Sequence, residues 1–596
     1  MAEPQNIESL LVVDIGSVTT KVALVDLVNN QHRLISLGTA VTTRHAPEAN
    51  VLVGVCDAIH QIQARTGRQL LTDARQLITP ERSHLQGVDA FVAVTSAPEP
   101  LRVALVGLSR SLSITSAQRA IQSAHATLVT TLALDESIGR WVPVTIPPPP
   151  NADSQTPRTV LEDPLVLAAE ALARAQVDVI VLVGGVDGGA TTALYDMTNL
   201  VAAVVAAREE SARPPVIFAG NSAARAEVAQ RIGQITPLRV VDNVRPTLES
   251  ENPLPLQREL EALYDEKKIR WMPGITDLTN WTALPIRSSA HAFHDVMRYL
   301  ARRYGLRVLG VDLGASATTL VAVHGEQMQS ILRADVGLGH HLAHLLERIP
   351  LEQWLAWLPI EIPTEEAYAA WLNQSLYART LPTTRQEAYL MHAAARVALA
   401  TAARDLATDE YDLLVCSGGL FASNVNLGAL ALVVLDALQP QGVFSLAVDT
   451  FGLVPALGAL ALLNAPAATS VLERDGLLTL GSVIALQSRH RDGQLAARVR
   501  IQPTNSGPIN LEVAHGSLEL VPILLGQKAA LEVRLSGKSH LQKAKRGVFQ
   551  AHVEGGALGV IIDARGRPIT LPDDPEKRRT RVQQWYWDLG GEMAYG

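Results

Sequence analysis

One pattern, written twice, constrains the fold of this 596-residue chain more than any other feature. The stretch "LLVVDIGSVTTKVALVD" spans residues 10–26, and "VLGVDLGASATTLVAVHG" spans 308–325. Asp14 aligns with Asp312, Gly16 with Gly314 and Thr20 with Thr318, while Lys21 is replaced by Thr319. Two apolar, β-branched runs around a short polar centre predict an antiparallel hairpin. Such a turn points backbone N–H groups outward, and Gly16 and Gly314 permit close approach. Hydroxyls at Ser17, Thr19 and Thr20 suit phosphate oxygens, and Lys21 can neutralise them. An acid at the end of the first strand can hold Mg²⁺ through water. Asp14 and Asp312 are therefore candidate catalytic and metal-binding residues. One such hairpin is equally well explained by turn geometry. Two in register predict a clamp that grips the phosphates of one nucleotide from both sides.

A second repetition extends the first. "DVIVLVGGVDGGA" begins at Asp178 and "DLLVCSGGLFAS" at Asp412; each is an acid, five mostly apolar residues and a glycine pair, Gly184-Gly185 and Gly418-Gly419. A strand ending in paired glycines lets a nucleotide's base and sugar approach the backbone. Strand and helix patterns alternate through most of the chain, which predicts an α/β architecture. Helical spacing runs over 48–66, ending at Gly67, and over 383–406. From about residue 470 short alternating strands such as "AARVRIQ" and "AALEVRL" predict an all-β sandwich or barrel, closed by an amphipathic helix in "EKRRTRVQQWYWDLGG". The expected domains are a first lobe with insertions over 1–306, a second lobe over 307–469 and a β domain over 470–596. Four consecutive prolines at 147–150 mark a stiff linker or surface excursion.

The order hairpin, Gly-Gly strand, hairpin, Gly-Gly strand resembles the superfamily of acetate kinase, sugar kinases, heat-shock chaperones and actin. More narrowly, "DIGSVTTKVALVD", "DVIVLVGGVDGGAT", "VLGVDLGASATT", "SGGLFA" and "LQPQGVFSLAVDTFGLVPALGALA" are similar to the glutamate mutase accessory protein family, called GlmL or MutL and unrelated to the mismatch-repair protein. The resemblance covers residues 8–466. It implies an internally duplicated actin-like, ribonuclease-H-like ATPase fold, with ATP and Mg²⁺ as cofactors. It also implies an accessory or chaperone role toward a client enzyme, an adenosylcobalamin-dependent mutase. Carried over by residue, Asp14, Gly16, Ser17, Thr19, Thr20 and Lys21 form the first phosphate hairpin. Asp312, Gly314, Ser316 and Thr318 form the second, and Gly418 and Gly419 meet the adenosine. Two departures are Ala315, where glycine or serine is common, and "TSAPEPLRV" at 95–103, where a glycine-rich run is expected.

Other residues invite functional readings. Asp187 in "GGVDGG" either orients water for hydrolysis or caps the helix that starts near 191. Asp449 either faces the nucleotide or, as favoured, caps a helix starting near 452. In "DVGLGHH" (335–341) capping is preferred over metal binding, and His291 and His294 lack a metal-site spacing. Arg565 and Arg567 are read as an exposed turn rather than a phosphate site. "KAKRG" (543–547) and the basic run at 576–581 are read as solvated charge.

A net charge of −8 argues against non-specific nucleic-acid or anionic-membrane binding. Two cysteines, Cys56 and Cys416, exclude a disulfide scaffold or an all-cysteine cluster within the chain and read as core thiols. The apolar stretch 451–468 is broken by Pro455, Gly458, Asn464 and Pro466, so a buried helix is expected rather than a membrane span. No signal peptide is visible, so a cytoplasmic location is expected. The alternatives to an accessory ATPase are a small-molecule kinase and a non-hydrolysing actin-like scaffold. An iron–sulfur activator of the same fold is disfavoured by the cysteine count. The oligomeric state is not encoded in any pattern found.

Overall fold

The structure is a computed structural model. It describes residues 7–137, 142–146, 158–406, 410–423, 426–489, 491–541, 544 and 547–590. The proline run at 147–150 and most of 543–547 lie outside them. The chain forms two compact units, one of Met1–Pro98 with Trp271–Gly596 and one of Glu99–Arg270.

In the larger unit, the strands Leu10–Ile15, Thr19–Val28 and Gln31–Val41 form an antiparallel meander, as their alternating apolar residues require. Ala90–Thr95 then pairs parallel with the first strand, and Arg287–Ser288 pairs parallel with Ala90–Thr95. The same layout recurs in the second half. Val308–Leu313, Thr318–His324 and Gln327–Arg333 form the meander, followed by parallel Leu413–Ser417 and Gly442–Asp449. Both sheets thus have the strand order 3-2-1-4-5. The hairpin registers match as well. Asp14 pairs with Lys21 and Ile15 with Thr20, while Asp312 pairs with Thr319 and Leu313 with Thr318. This is the two-lobed, internally duplicated actin-like α/β fold.

The Gly-Gly strands are not equivalent in this duplication. The counterpart of Leu413–Ser417 is Ala90–Thr95, since Asp14 pairs with Val94 as Asp312 pairs with Ser417. The strand before Gly184, Val179–Val183, belongs to the smaller unit's own sheet. An acid, an apolar run and two glycines describe any buried parallel strand that ends in a tight turn. The sequence resemblance between the two stretches is therefore local.

The smaller unit has five parallel strands, Leu101–Gly107, Ala126–Ala133, Val179–Val183, Val216–Phe218 and Leu238–Val240. In chain order they are arranged 2-1-3-4-5, a doubly wound sheet. Among the described residues the span 1–306 therefore holds two separate five-stranded sheets, besides the two-stranded pair Val142–Ile146 and Arg158–Glu162.

After the second lobe the sheet continues without a break. Leu477–Ala485 pairs antiparallel with Gly442–Asp449, and Val560–Asp563 and Leu518–Val521 follow. A four-stranded antiparallel sheet of Ile509–Ala514, Leu495–Pro503, Lys528–Leu535 and Val548–Glu554 completes the C-terminal β domain. Its core joins Ile484, Val499, Ile501, Leu531, Val533 and Ile562. The last helix, Pro575–Asp588, is N-capped by Asp574 and buries Val582, Trp585 and Tyr586.

Arg565 and Arg567 overturn their reading as an exposed turn. Both are buried beside Asp563 and Asp436. Arg567 bonds Asp563 at 2.8 Å, Arg565 bonds Asp563 at 2.9 Å and Asp436 at 2.6 Å, and Arg396 bonds Asp436 at 2.7 Å. Asp436 lies 129 residues before Arg565, a distance no turn signal reports.

Helix ends follow local chemistry. Val51–Thr66 is capped by the Asn50 side chain and stopped by Gly67 at φ 70°. Arg385–Ala402 opens with a Thr384–Glu387 capping box. The apolar stretch becomes the buried helix Val454–Leu463 followed by Ala465–Val471. Among the described residues no helix is long and apolar enough to cross a membrane.

Candidate functional site

The two hairpins share one cavity of about 560 Å³. Its wall includes Asp14, Gly16, Ser17, Thr19 and Lys21 from the first hairpin and Asp312, Gly314 and Ala315 from the second. Gly418 and Gly419 also line it. The turns are built alike. The Gly16 N–H donates to the Thr19 carbonyl at 3.1 Å, and the Gly314 N–H donates to the Ala317 carbonyl at 2.9 Å. A Cβ on either glycine would fall within 2.9 Å of that same carbonyl oxygen.

Thr20 and Thr318 do not reach the cavity. Both are fully buried. The Thr42 hydroxyl donates to the Gly16 carbonyl at 2.8 Å, so Thr20 donates to Thr42 at 2.9 Å. Thr318 donates to the Val336 carbonyl at 2.9 Å. Strand alternation is the cause. Thr19 and Lys21 share the cavity face, and the residue between them must face the core. These threonines hold the turns from behind, with their hydroxyls bonded inside the core and off the cavity wall. Ser316 is half-buried outside the lining, and its carbonyl accepts from His341 Nδ1 at 2.7 Å.

The "DVGLGHH" segment braces the second hairpin. The Leu338 N–H donates to Gly314 at 3.0 Å and the Gly339 N–H to Ala315 at 2.8 Å. A Cβ on Gly337 would lie 2.5 Å from the Ala315 oxygen, which explains the glycine. Asp335 is engaged by Arg333 and Arg348. Burial pushes its carboxyl up, but these cations hold it at about 2.

Three carboxylates set the electrostatics. Asp14 accepts from the Ser289 hydroxyl at 2.8 Å, a contact across 275 residues that sequence patterns do not signal. Asp449 accepts from the Ser417 hydroxyl and from the Leu453 and Val454 N–H groups, so it caps Val454–Leu463 as favoured. Burial raises the Asp14 pKa, while Lys21 and Ser289 oppose the rise. Burial and the neighbouring Asp14 push Asp312 up to about 7, against the pull of Lys21. Lys21 Nζ donates to the Gly452 carbonyl at 3.1 Å and so ties the first hairpin to the second lobe.

Among the described residues no three carboxylate, imidazole or thiol groups converge to cage a metal ion. Two carboxylates made reluctant to ionise by burial and by neighbouring carboxylates fit Mg²⁺, which keeps waters and takes phosphate oxygens for its other ligands. Asp14 and Asp312 are the residues that would hold it.

The charge on Asp312 has a measurable cost. Its folded pKa of about 7 stands above the ordinary 3.8, so the folded state binds more protons between these values. Stability therefore falls as pH rises from about 4 to about 7. Thermal melts without magnesium should show the midpoint falling between pH 5 and pH 8, and Asp312→Asn should flatten that fall.

The glycine pair gives a contrast. Gly418 has φ 108°, and a Cβ there would sit 2.1 Å from the Leu313 carbonyl oxygen. Gly418→Ala should destabilise the fold by about 2–4 kcal/mol in denaturant titrations. A Cβ on Gly419 would meet nothing within 4 Å, so Gly419→Ala should fold normally.

In the smaller unit, Gly184 and Gly185 take φ 146° and 71°. The exposed Asp187 accepts from the Ser222 N–H at 2.8 Å and from Asn243 Nδ2 at 3.1 Å. Slight burial pushes its carboxyl up, but these hydrogen bonds outweigh it and hold the pKa low. Asp187 thus ties strand ends together and does not cap Thr192–Ala206.

The sequence profile of the MutL protein family matches residues 10–476. Protein MutL of Clostridium tetanomorphum is 22% identical over 261 residues, 44% of this chain and 45% of that protein, so the alignment spans under half of that relative. The nucleotide-free structure of acetone carboxylase aligns with TM-score 0.31 and 12% identity, over 85% of this chain and 81% of that one. Glycerol dehydratase reactivase aligns with TM-score 0.28 and 13% identity, over 77% of this chain and 100% of that one. The profile covers more than three quarters of the sequence, and the chain belongs to the MutL protein family.

Proposed function

We propose that this protein is an ATP-binding accessory factor of chaperone type that hydrolyses ATP slowly and acts on an adenosylcobalamin-dependent mutase such as glutamate mutase. The observation that carries the reading is the pair of topologically equivalent hairpins, each ending its first strand in aspartate, on the wall of one cavity.

Hydroxyls at Ser17 and Thr19 take one side of the phosphates, and Gly16, whose own N–H is held by the Thr19 carbonyl, leaves room for them. The backbone at Ala315 takes the other side, beside Gly314. Asp14 and Asp312 would hold Mg²⁺, which when bound would supply charge stabilisation at the phosphates. Lys21 leaves the Gly452 carbonyl for phosphate oxygens, because an ion pair in a partly dry site is stronger than a neutral hydrogen bond. That exchange changes the tie between the lobes and couples nucleotide state to lobe angle. Gly418 and Gly419 admit the sugar and base. Asp187 lies in the smaller unit and is not among the residues on the wall of the phosphate cavity, so its reading as the acid that orients water rests on the variant named below. Gly184 and Gly185 shape the turn that carries it.

The test is phosphate release from Mg·ATP with no added acceptor, then recovery of an inactivated adenosylcobalamin-dependent glutamate mutase. Slow release with ATP-dependent recovery supports the reading. Phosphate transfer to a small molecule, with no release in its absence, favours a kinase. Asp187→Asn with unchanged release removes Asp187 from the mechanism.

A further inference from the structure

We infer that Gln374 selects the nucleobase, favouring a purine with an amino group at C6 over one with an oxo group. The inference rests on the ATP reading above and adds the residue that would make the site prefer adenine.

Besides the phosphate hairpins the cavity wall carries the apolar Leu338, Leu381, Met391 and Leu420, together with Arg379 and Thr380. A flat heteroaromatic ring is favoured against such side chains, and phosphates are not. Gln374 stands on the last turn of the helix Thr364–Leu376 and lines this wall. A second cavity of about 370 Å³ shares Gln374, Thr380, Leu381 and Met391 with the first, so Gln374 marks the boundary between the two.

The amide is already oriented. Gln374 Nε2 donates to the Leu338 carbonyl at 3.3 Å. A carbonyl can only accept, so the nitrogen must face Leu338. That leaves Oε1 as an acceptor, and no hydrogen bond to it is found among the described residues. The Leu338 N–H in turn donates to the Gly314 carbonyl at 3.0 Å. The amide is therefore held in a fixed relation to the second phosphate hairpin. A preset acceptor gains a hydrogen bond from an amino group and meets lone-pair repulsion from an oxo group. Sites that read a polar group this way discriminate strongly.

The experiment is competitive binding of ATP, inosine triphosphate and 2′-deoxyATP, each with magnesium, to wild type and Gln374→Met. ATP and inosine triphosphate differ only at C6 and the adjoining N1 proton. Wild type should bind ATP at least about 10-fold more tightly than inosine triphosphate, in line with hydrogen-bond readout of a base edge. Gln374→Met should shrink that gap to about 2-fold or less, by weakening ATP and by relieving the repulsion that inosine triphosphate meets. Retained binding of inosine triphosphate shows that the variant's site is folded. Equal binding of ATP and inosine triphosphate by wild type overturns the inference while leaving the nucleotide site standing. So does a gap that survives Gln374→Met. A wild-type preference for ATP over 2′-deoxyATP that vanishes in the variant assigns the amide to the sugar, and also overturns it. Failure of wild type to bind any of the three removes the ATP reading and this inference together.

Discussion

Replacing Asp14 and Asp312 together by alanine should weaken magnesium-dependent ATP binding by about 100-fold or more, because the metal loses both of its protein carboxylates. The double variant should still fold. Burial penalises both charges in the absence of an ion, so removing them relieves that penalty, offset by the loss of the Ser289 hydrogen bond to Asp14 and of the attraction of Lys21. Calorimetric titration with and without magnesium, alongside thermal melts, separates the two effects. Thr20→Val is the companion variant. The hairpin motif assigns Thr20 to phosphate, yet its hydroxyl is spent on Thr42 inside the core. The variant should leave ATP affinity unchanged and cost about 1 kcal/mol of stability, the usual worth of one buried hydrogen bond.

The largest stability effect is expected at Asp436. This buried carboxylate accepts from Arg396 and Arg565 at once, in a cluster where all three side chains are 1% exposed or less. Asp436→Leu leaves two guanidinium groups underneutralised away from water. Breaking one partner of a buried ion pair costs about 3–5 kcal/mol, a large share of the roughly 5–15 kcal/mol that holds a protein folded. Denaturant unfolding should show that loss. Because Arg565 follows a strand of the β domain and Asp436 lies on a helix of the second lobe, the transition should also lose cooperativity between them. By contrast, the exposed pair Arg498–Glu512 should contribute under about 1 kcal/mol.

Features that depend on near neighbours could be read from the sequence. The hairpins were legible because each is built from one short run of adjacent residues, 10–25 and 308–323, whose alternation fixes strand, turn and pairing. The capping of Val454–Leu463 by Asp449 was legible for the same reason, since a cap acts within one turn. Long-range placement was not. Ser289 meets Asp14, Arg565 meets Asp436, and the "DVGLGHH" loop backs the second hairpin, all through folding that no short motif encodes. Thr20 and Thr318 could have been placed correctly from strand alternation alone, because the residue between two cavity-facing positions must point inward. The glycine pair at 184–185 shows the converse error. It matches 418–419 in local chemistry, yet Ala90–Thr95 holds the equivalent position in the duplicated sheet. Recognising that requires the order of the strands, and the sequence shows only that each is a buried strand.

The measurement that tests the account most directly is a calorimetric titration of the wild-type protein with ATP at pH 8, in the presence and absence of magnesium. At that pH Asp312, with a folded pKa of about 7, is mostly ionised and able to take the metal. The account predicts saturable binding of one nucleotide per chain that requires magnesium. Absence of binding under every magnesium concentration would contradict it, and the paired hairpins would then be structural features of the fold with no nucleotide between them.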